Sequence, residues 1–564
     1  MNRRITYDVI WRLVLFTAQA FCAVSVQGAQ NPPHIVMVMV DDLGWSDVGY
    51  NNISAVNTPH IDRLAADGVK LMSYYTQAMC TPSRGALMTG KYPIHTGMQH
   101  FVINSTSPWG MPRNLPTLPE KLRKLGYSTN LVGKWHLGFF DWNYVPTARG
   151  YDSFFGIYMG EGDHWNHSKM GYLDMRRGKE PTWGYRGRHS TDVFTDEAIN
   201  IVSRHDQTKP LFLLLSYTAP HTPLQAHPRD IDKYKHISDV KRRNYLAMVD
   251  ALDQAIERLV DTFKNKSIWN DTVFIWFSDN GGFPGPGGGY NWPLRGLKSN
   301  IWEGGIRVPA FVHGSMLKRR GVKINDLFHV TDWYPTLINL ADTNKYEGNP
   351  DYMSLSRRNR GRTVDEDVDG VDQWKVISEG QSSKRTEILH NIDYAPDLKA
   401  MNYAPLGFSY YTGAAIRIGH MKLLHRSPNS TWYGLPENGA APPKMLTIDR
   451  LPFIDIALYN ITADPEERHD LKAKYPEVVQ QMLARLKEYN STVMKYHLQP
   501  EDPECLKLAK RLGRWEPWKD EDCITSSGTI HYPVIDYCGP RPIVGIKTIC
   551  AIWIAFLWTL LGQQ

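Results

Sequence analysis

Cysteine is scarce in this chain, with six among 564 residues. That excludes a small scaffold stapled by disulfides and leaves a buried apolar core as the main source of stability. One-sided charge is missing too. Lys and Arg total 64 against 58 Asp and Glu, a net +6. This falls short of the dense basic stripes of a nucleic-acid binder, so nucleic acid is not an expected partner, whereas an acidic substrate is compatible with it. No internal repeat and no long low-complexity stretch is present, which excludes a solenoid or a disordered linker protein. What the chain has instead is bulk. Apolar residues make up 42 %, with 18 Trp and 29 Tyr, enough for a large core spread over roughly two to four domains.

The longest mostly apolar stretches sit at the two ends. Arg3 and Arg4 precede the mostly apolar Leu13–Val26, and small or neutral residues lead to a cut near Gly28–Ala29. Residues 1–28 read as a secretory signal peptide, with Asp8 and Arg12 leaving a signal anchor open. Asn-x-Ser/Thr sequons at Asn52, Asn104, Asn166, Asn265, Asn270, Asn429, Asn460 and Asn490 agree with the secretory route. The expected destination is the lysosome, the cell surface or the outside. Cys22 leaves with the signal, Cys80 stands alone, and Cys505, Cys523, Cys538 and Cys550 crowd the end. Spacing does not choose among their pairings; Cys505–Cys523 is the favoured one. Ile549–Leu561 is apolar except for one Thr, and extended back to Ile543 it approaches the lower limit of a spanning helix, about 17–25 residues. A packed tail, a terminal anchor and a cleaved glycolipid-anchor signal compete. Membrane attachment through this tail is favoured over a soluble product.

Between the ends the pattern is strand, loop, helix, repeated from Pro32 to about Leu340. His34–Val40, Leu211–Tyr217 and Thr272–Phe277 are continuous apolar runs, as strands buried on both faces should be. Tyr127–Val132 reads as a further strand. Helices are expected over Thr58–Gly68, Leu118–Gly126, Asp192–Ser203 and Val240–Phe263. This alternation argues an α/β domain, residues 31–378, with a mostly parallel mixed sheet between helices. After Ser378 the texture changes to short strands near Thr386–Ile392, Ala414–Ile418 and Lys422–His425, then a helix over Pro476–Tyr489. Residues 379–500 therefore read as a smaller α+β domain with an antiparallel sheet, and 501–564 as a Cys-containing tail. The Arg357–Arg362 loop reads as a solvated insertion near the boundary.

In open α/β sheets ligands bind beyond the carboxyl ends of the strands. Four such ends here carry unusual polar residues: Asp41-Asp42, Gly133-Lys134-Trp135-His136, Thr218 through His221, and Ser278-Asp279-Asn280. Three carboxylates and an amide suit a hard divalent cation. Taken singly, each is more often a turn or a helix cap. Their coincidence at four strand ends favours a site. The sharpest signal is Cys80-Thr-Pro-Ser-Arg84, where Pro82 suits a first helical turn and Gly90 a C-terminal cap. Cys80 then sits at a helix N-terminus, which favours an anion, with Arg84 one turn on. The bland alternative, a buried structural thiol, needs neither Pro82 nor Arg84.

Cys80-Thr-Pro-Ser-Arg84 resembles the Cys-x-Pro-x-Arg signature of the sulfatases. Leu87–Lys91 and Gly133–Gly138 extend the likeness, which runs from His34 to beyond Leu471. Lys91–His100, Asn291–Lys298, Trp302–Arg307 and Thr331–Thr336 resemble the arylsulfatase B, or N-acetylgalactosamine-4-sulfatase, type. Asn460–Glu467 resembles the family's C-domain segment.

The resemblance implies an alkaline-phosphatase-like fold and hydrolysis of sulfate esters, with the 4-sulfate of N-acetylgalactosamine in dermatan or chondroitin sulfate as the expected target. It also implies that Cys80 is oxidised by the formylglycine-generating enzyme to formylglycine, whose hydrated aldehyde attacks sulfur and then expels sulfate. Asp41, Asp42, Asp279, Asn280 and modified Cys80 would hold Ca²⁺, with Arg84 steadying them. Lys134 and Lys298 would clamp sulfate, Lys298 being singled out by the resemblance alone. His136 would act as base, and His221 would bind substrate and protonate the leaving alcohol. The Phe101–Arg113 loop has no cysteine, unlike many relatives, and Trp135 and Trp292 are either sugar platforms or wall packing. The alternatives are a sulfatase of other carbohydrate specificity and a non-catalytic secreted glycan binder. A phosphoryl-transfer enzyme of the same superfamily is disfavoured, since it would present Ser or Thr in place of Cys80.

Overall fold

The computed structural model describes residues 32–519 except 52, 54–55, 343–366, 395–412, 442–452 and 498. The signal segment, the Arg357–Arg362 loop, Cys523, Cys538, Cys550 and the apolar C-terminal run lie outside the described residues.

Five strands, β1 (His34–Val40), β2 (Ser128–Lys134), β3 (Ser153–Ile157), β4 (Leu211–Ser216) and β5 (Thr272–Ser278), run parallel in the spatial order β5-β1-β4-β2-β3. β6 (Ala310–His313) adds antiparallel to β5. Short flanking strands complete a ten-stranded mixed sheet. The apolar run of β1 explains its central place. Ile35, Met37 and Met39 face a core that includes Leu87 and Met88 of helix α1 (Cys80–Thr89). Val36, Val38 and Val40 face the opposite core, with helices α2 (Ser190–Arg204) and α3 (Val240–Asn265). Each such side chain contributes about 1.5–3 kcal/mol by leaving water. Val38→Asp would break this layer, because an unpaired carboxylate there has no partner and no solvent.

The second layer system is a four-stranded antiparallel sheet of β7 (Glu387–Asp393), β8 (Gly413–Ile418), β9 (Met421–Pro428) and β10 (Phe453–Asn460). Helix α4 (Pro476–Asn490) covers one face with Val479, Met482 and Leu486. The other face, through Ala415, Leu424, Ala457 and Tyr459, packs on Ile301 and Trp302 of the large domain. Sequence reading does not anticipate β3, β6 or β10. The first two are short, and β10 starts half-exposed, so the alternation that signals a strand is weak. The segment expected to be a tail begins instead with helix α5 (Pro503–Leu512), whose Cys505 and Ala509, one turn apart, join the large core together with Trp515. Cys505 Sγ lies 3.5 Å from Ser105 O; its expected partner Cys523 is outside the described residues.

Candidate active site

Strand register brings the polar residues together. Val40 of β1 pairs with Ser278 of β5, Met39 with Ser216 of β4, and Ser216 with Gly133 of β2. The carboxyl ends are therefore flush, and Asp41, Asp279, Lys134 and the His221 loop emerge at one level. Asp42 and His136 have φ of +66° and +58°, the left-handed region that Asp and His enter more readily than most residues and that recurs at functional sites. The α1 N-terminus faces this rim with Cys80 in its first turn. Gly90 ends the helix at φ +68°, its N–H donating to Ala86 O at 2.9 Å.

The contacts are dense and ionic. Cys80 Sγ lies 3.5 Å from Asp41 Oδ1. Arg84 Nε and Nη2 donate to Asp279 Oδ2 at 3.1 and 2.8 Å, and its Nη1 donates to Ser216 Oγ at 2.7 Å and Lys134 O at 3.2 Å. Lys134 Nζ donates to Asp41 Oδ2 at 2.6 Å. Lys298 Nζ lies 2.7 Å from Asp42 Oδ1. His221 Nε2 stands 3.6 Å from Asp42 Oδ2, while its Nδ1 is 2.7 Å from Thr222 O. His136 Nε2 bonds Ile103 O at 3.0 Å, and its buried Nδ1 has no partner among the described residues. Gly160 makes room for that ring, since a Cβ there would lie 2.3 Å from His136 Cε1.

Three carboxylates thus meet three cations, and the side chains of this site carry no net charge. A divalent cation would leave an excess of two positive charges, suited to an anionic ester. The donor set fits such an ion. One donor atom each of Asp41, Asp42, Cys80 and His221 lies within 4.8 Å of the others. Asn280 Oδ1 is buried without a partner, although its Nδ2 donates to Asp42 Oδ1 at 2.7 Å. A bare amide oxygen beside carboxylates is what a hard cation takes up. Asp279, an expected ligand, is not in that group of four, whereas His221, not expected as one, is; Asp279 adjoins the group with Oδ1 accepting from Asp42 N at 3.3 Å.

Burial, then Asp279, pushes the Cys80 thiol up, so as an unmodified residue it is a protonated thiol and a poor nucleophile. Burial, then Lys134 and Arg84, drives His136 well below the usual histidine range and keeps it neutral. Burial opposes the charge on Lys298, but Asp42 and its neighbours outweigh it and hold the ammonium. Of the aromatic side chains, Trp135 is buried and donates to Gly138 O and Tyr144 O at 3.0 Å, so it is wall packing.

The loop of Lys298 is held by both domains: on the large-domain side Lys298 N donates to Gly282 O at 3.0 Å and Ser299 N to Ala78 O at 2.7 Å. Arg295, three residues before Lys298, donates to Ser430 O at 2.9 Å and Asn429 Oδ1 at 2.6 Å, and its guanidinium lies between the Trp302 and Trp432 rings at 3.7 and 4.6 Å. Just past this loop, at the start of the short helix Glu303–Ile306, buried Glu303 meets Lys422 of β9 at 2.9 Å, and that ammonium lies 2.8 Å from Glu467. Sequence reading missed these anchors, as it missed Glu161 and His164 beside His221. They lie in irregular loops or pair across long separations, and no periodicity or spacing marks them.

A family model described as Sulfatase matches residues 33–343. Arylsulfatase J of Mus musculus is 42 % identical over 508 residues, covering 87 % of this chain and 81 % of that protein. N-acetylgalactosamine-6-sulfatase of Mus musculus is 31 % identical over 343 residues, covering 56 % of this chain and 63 % of that protein. Among solved structures, Ps i-CgsB in complex with k-i-k-neocarrahexaose is 26 % identical with a TM-score of 0.67, covering 86 % of this chain and 98 % of that one. The fold is the alkaline-phosphatase-like one, a large mixed sheet between helices with a small antiparallel sheet beside it. Sulfatases generally use formylglycine and a divalent metal, and the cluster around Cys80 supplies the residues for both. A Cys-Thr-Pro-Ser-Arg helix aimed at flush, carboxylate-bearing strand ends, together with these matches, places the chain in the sulfatase family as a sulfuric ester hydrolase.

Proposed function

We propose that the substrate is a sulfated glycan, specifically the 4-sulfate of N-acetylgalactosamine in dermatan or chondroitin sulfate. Asp41, Asp42, Asp279 and Asn280 hold Ca²⁺, and Cys80 is converted to formylglycine in the secretory pathway on the way to the lysosome or cell surface. The observation that carries the chemistry is the flush strand ends, which bring three carboxylates, Lys134 and His221 up to Cys80 and Arg84 of α1, with Lys298 joining from its loop. The sugar assignment rests on the sequence stretches shared with the 4-sulfatase type. A 6-sulfate reading is favoured by the identity with N-acetylgalactosamine-6-sulfatase.

When present, the metal supplies charge neutralisation at sulfate, and formylglycine supplies a hydrated-aldehyde hydroxyl as nucleophile. Lys134 and Lys298, each paired with an aspartate, present ammonium groups for sulfate oxygens. His136 has Nδ1 open to accept a proton, and its neutrality suits that role. His221, with Nδ1 held at Thr222 O, presents Nε2 to donate a proton to the leaving sugar oxygen. Arg84 fixes Asp279 and joins it to β2 and β4.

Mass spectrometry of the Cys80 peptide from protein secreted by eukaryotic cells is the test of class. Formylglycine is expected; fully unmodified cysteine in an active preparation would overturn the mechanism. A panel of 4-sulfated and 6-sulfated N-acetylgalactosamine saccharides then decides the sugar. Membrane attachment through residues 543–564 is expected to make the full-length protein sediment with membranes. Detergent-free solubility with that peptide still present would refute it.

A further inference from the structure

Glu161 stands at the rim beside His221. Its Oε2 lies 3.6 Å from His221 Nδ1, and its other oxygen is paired with Lys169. Its side chain is about a third exposed. Burial would raise its pKa, but His221, Lys169 and Lys298 outweigh that and hold it at about 2, so the group is a carboxylate at any working pH. The imidazole therefore sits between two aspartate and glutamate oxygens, with Asp42 on the Nε2 side and Glu161 on the Nδ1 side.

The backbone beneath is braced from the same loop. His164 Nε2 lies 3.1 Å from His221 O, and its Nδ1 is 2.7 Å from Ser190 Oγ. Gln225 is tied to His164 N at 2.7 Å and to Asp163 Oδ2 at 2.8 Å. Residues 161–169 thus hold the His221 segment at both its main chain and its ring.

We propose that Glu161, anchored by Lys169, is a positioning residue for His221. Thr222 O at 2.7 Å and Thr222 Oγ1 at 3.3 Å engage Nδ1, and the Glu161 carboxylate, 3.6 Å away, favours through its charge the orientation with the proton on Nδ1 and Nε2 toward the oxygen of the departing sugar. The proposal rests on His221 being the group that protonates that oxygen. Neither Glu161 nor Lys169 needs to touch the substrate for this role.

The test compares Glu161→Gln, Lys169→Met and His221→Ala on two substrates, a sulfated sugar and nitrophenyl sulfate, whose leaving group needs little protonation. Glu161→Gln should lower kcat on the sugar sulfate about tenfold, the lower end of what loss of an orienting partner costs. It should leave kcat on nitrophenyl sulfate, the KM values and the melting temperature nearly unchanged. Lys169→Met should show the same split more weakly, and Glu161→Asp should recover part of the loss. A leaving-group-dependent loss in His221→Ala together with wild-type behaviour in Glu161→Gln overturns the role of Glu161 alone. Equal losses on both substrates in His221→Ala overturn the acid role of His221, and the positioning role with it. An equal loss on both substrates in Glu161→Gln with a lowered melting temperature assigns Glu161 to structure only and also overturns the proposal.

Discussion

Arg84 grips one oxygen of Asp279 with two nitrogens, Nε at 3.1 Å and Nη2 at 2.8 Å. Its remaining nitrogen reaches Ser216 Oγ and Lys134 O. One side chain on α1 therefore ties together the carboxyl ends of β2, β4 and β5, and the site's geometry depends on its fork.

Arg84→Lys keeps the charge and loses the fork. A single ammonium cannot reach Asp279, Ser216 and Lys134 O together, and at least one buried acceptor is left bare, at about 1–3 kcal/mol. Turnover should fall by at least about a hundredfold, beyond the melting-temperature change, because the disturbed groups surround the reacting centre. Steady-state rates normalised to the fraction of Cys80 converted to formylglycine check this. Wild-type turnover per converted site would remove Arg84 from the machinery.

Asp279→Ala removes one anion from a site of three carboxylates and leaves Arg84 buried without its main partner. Metal occupancy and nearly all activity should be lost together. Elemental analysis after dialysis reads the first and a sulfate-release assay the second. An unchanged Ca²⁺ content would contradict Asp279 as a ligand.

Glu467 supplies a pH signature. Burial first, and then Glu303, raise its pKa to about 7, with Lys422 opposing. A carboxyl with a raised folded-state pKa binds its proton more tightly when folded. Its contribution is complete below the ordinary glutamate range and is lost as pH rises through about 7. Buried histidines such as His164, lowered to about 3 first by burial, act in the opposite sense below pH 6.5. The difference between variants isolates the glutamate. Glu467→Gln should gain on the wild type by a few degrees in melting temperature between pH 5 and 8. A difference that stays flat across that range would show that Glu467 is ionised throughout.

Much of the site is legible in the sequence, for a definite reason. Residues ending continuous apolar runs must emerge at a sheet edge, so Asp41-Asp42, Lys134 and Asp279-Asn280 announce their place without any contact being known. Cys80, Pro82 and Gly90 announce a helix and which end of it carries the chemistry. Lys298 does not, since its loop has no period and its partner Asp42 lies 256 positions away; only resemblance points to it. Glu161, Lys169 and His164 carry no local signature at all, because their meaning comes from the loop's fold against His221. The edges of the fold fail similarly: β10 becomes a strand by pairing with β9, and α5 joins the core by covering a face that the sequence does not mark as uncovered.

The loop bearing Lys298 has consequences for what counts as the smallest working enzyme. The family match stops at residue 343, which invites the view that everything afterwards is accessory. Yet Arg295 and Glu303, on either side of Lys298, are fastened to residues 422–467. A chain cut at the end of the matched span would take from Arg295 and Glu303 their small-domain partners, leaving the loop of Lys298 held only by its large-domain bonds, among them those to Gly282 and Ala78. The small domain, which places no residue among the strand-end cluster, therefore buttresses the loop that carries Lys298.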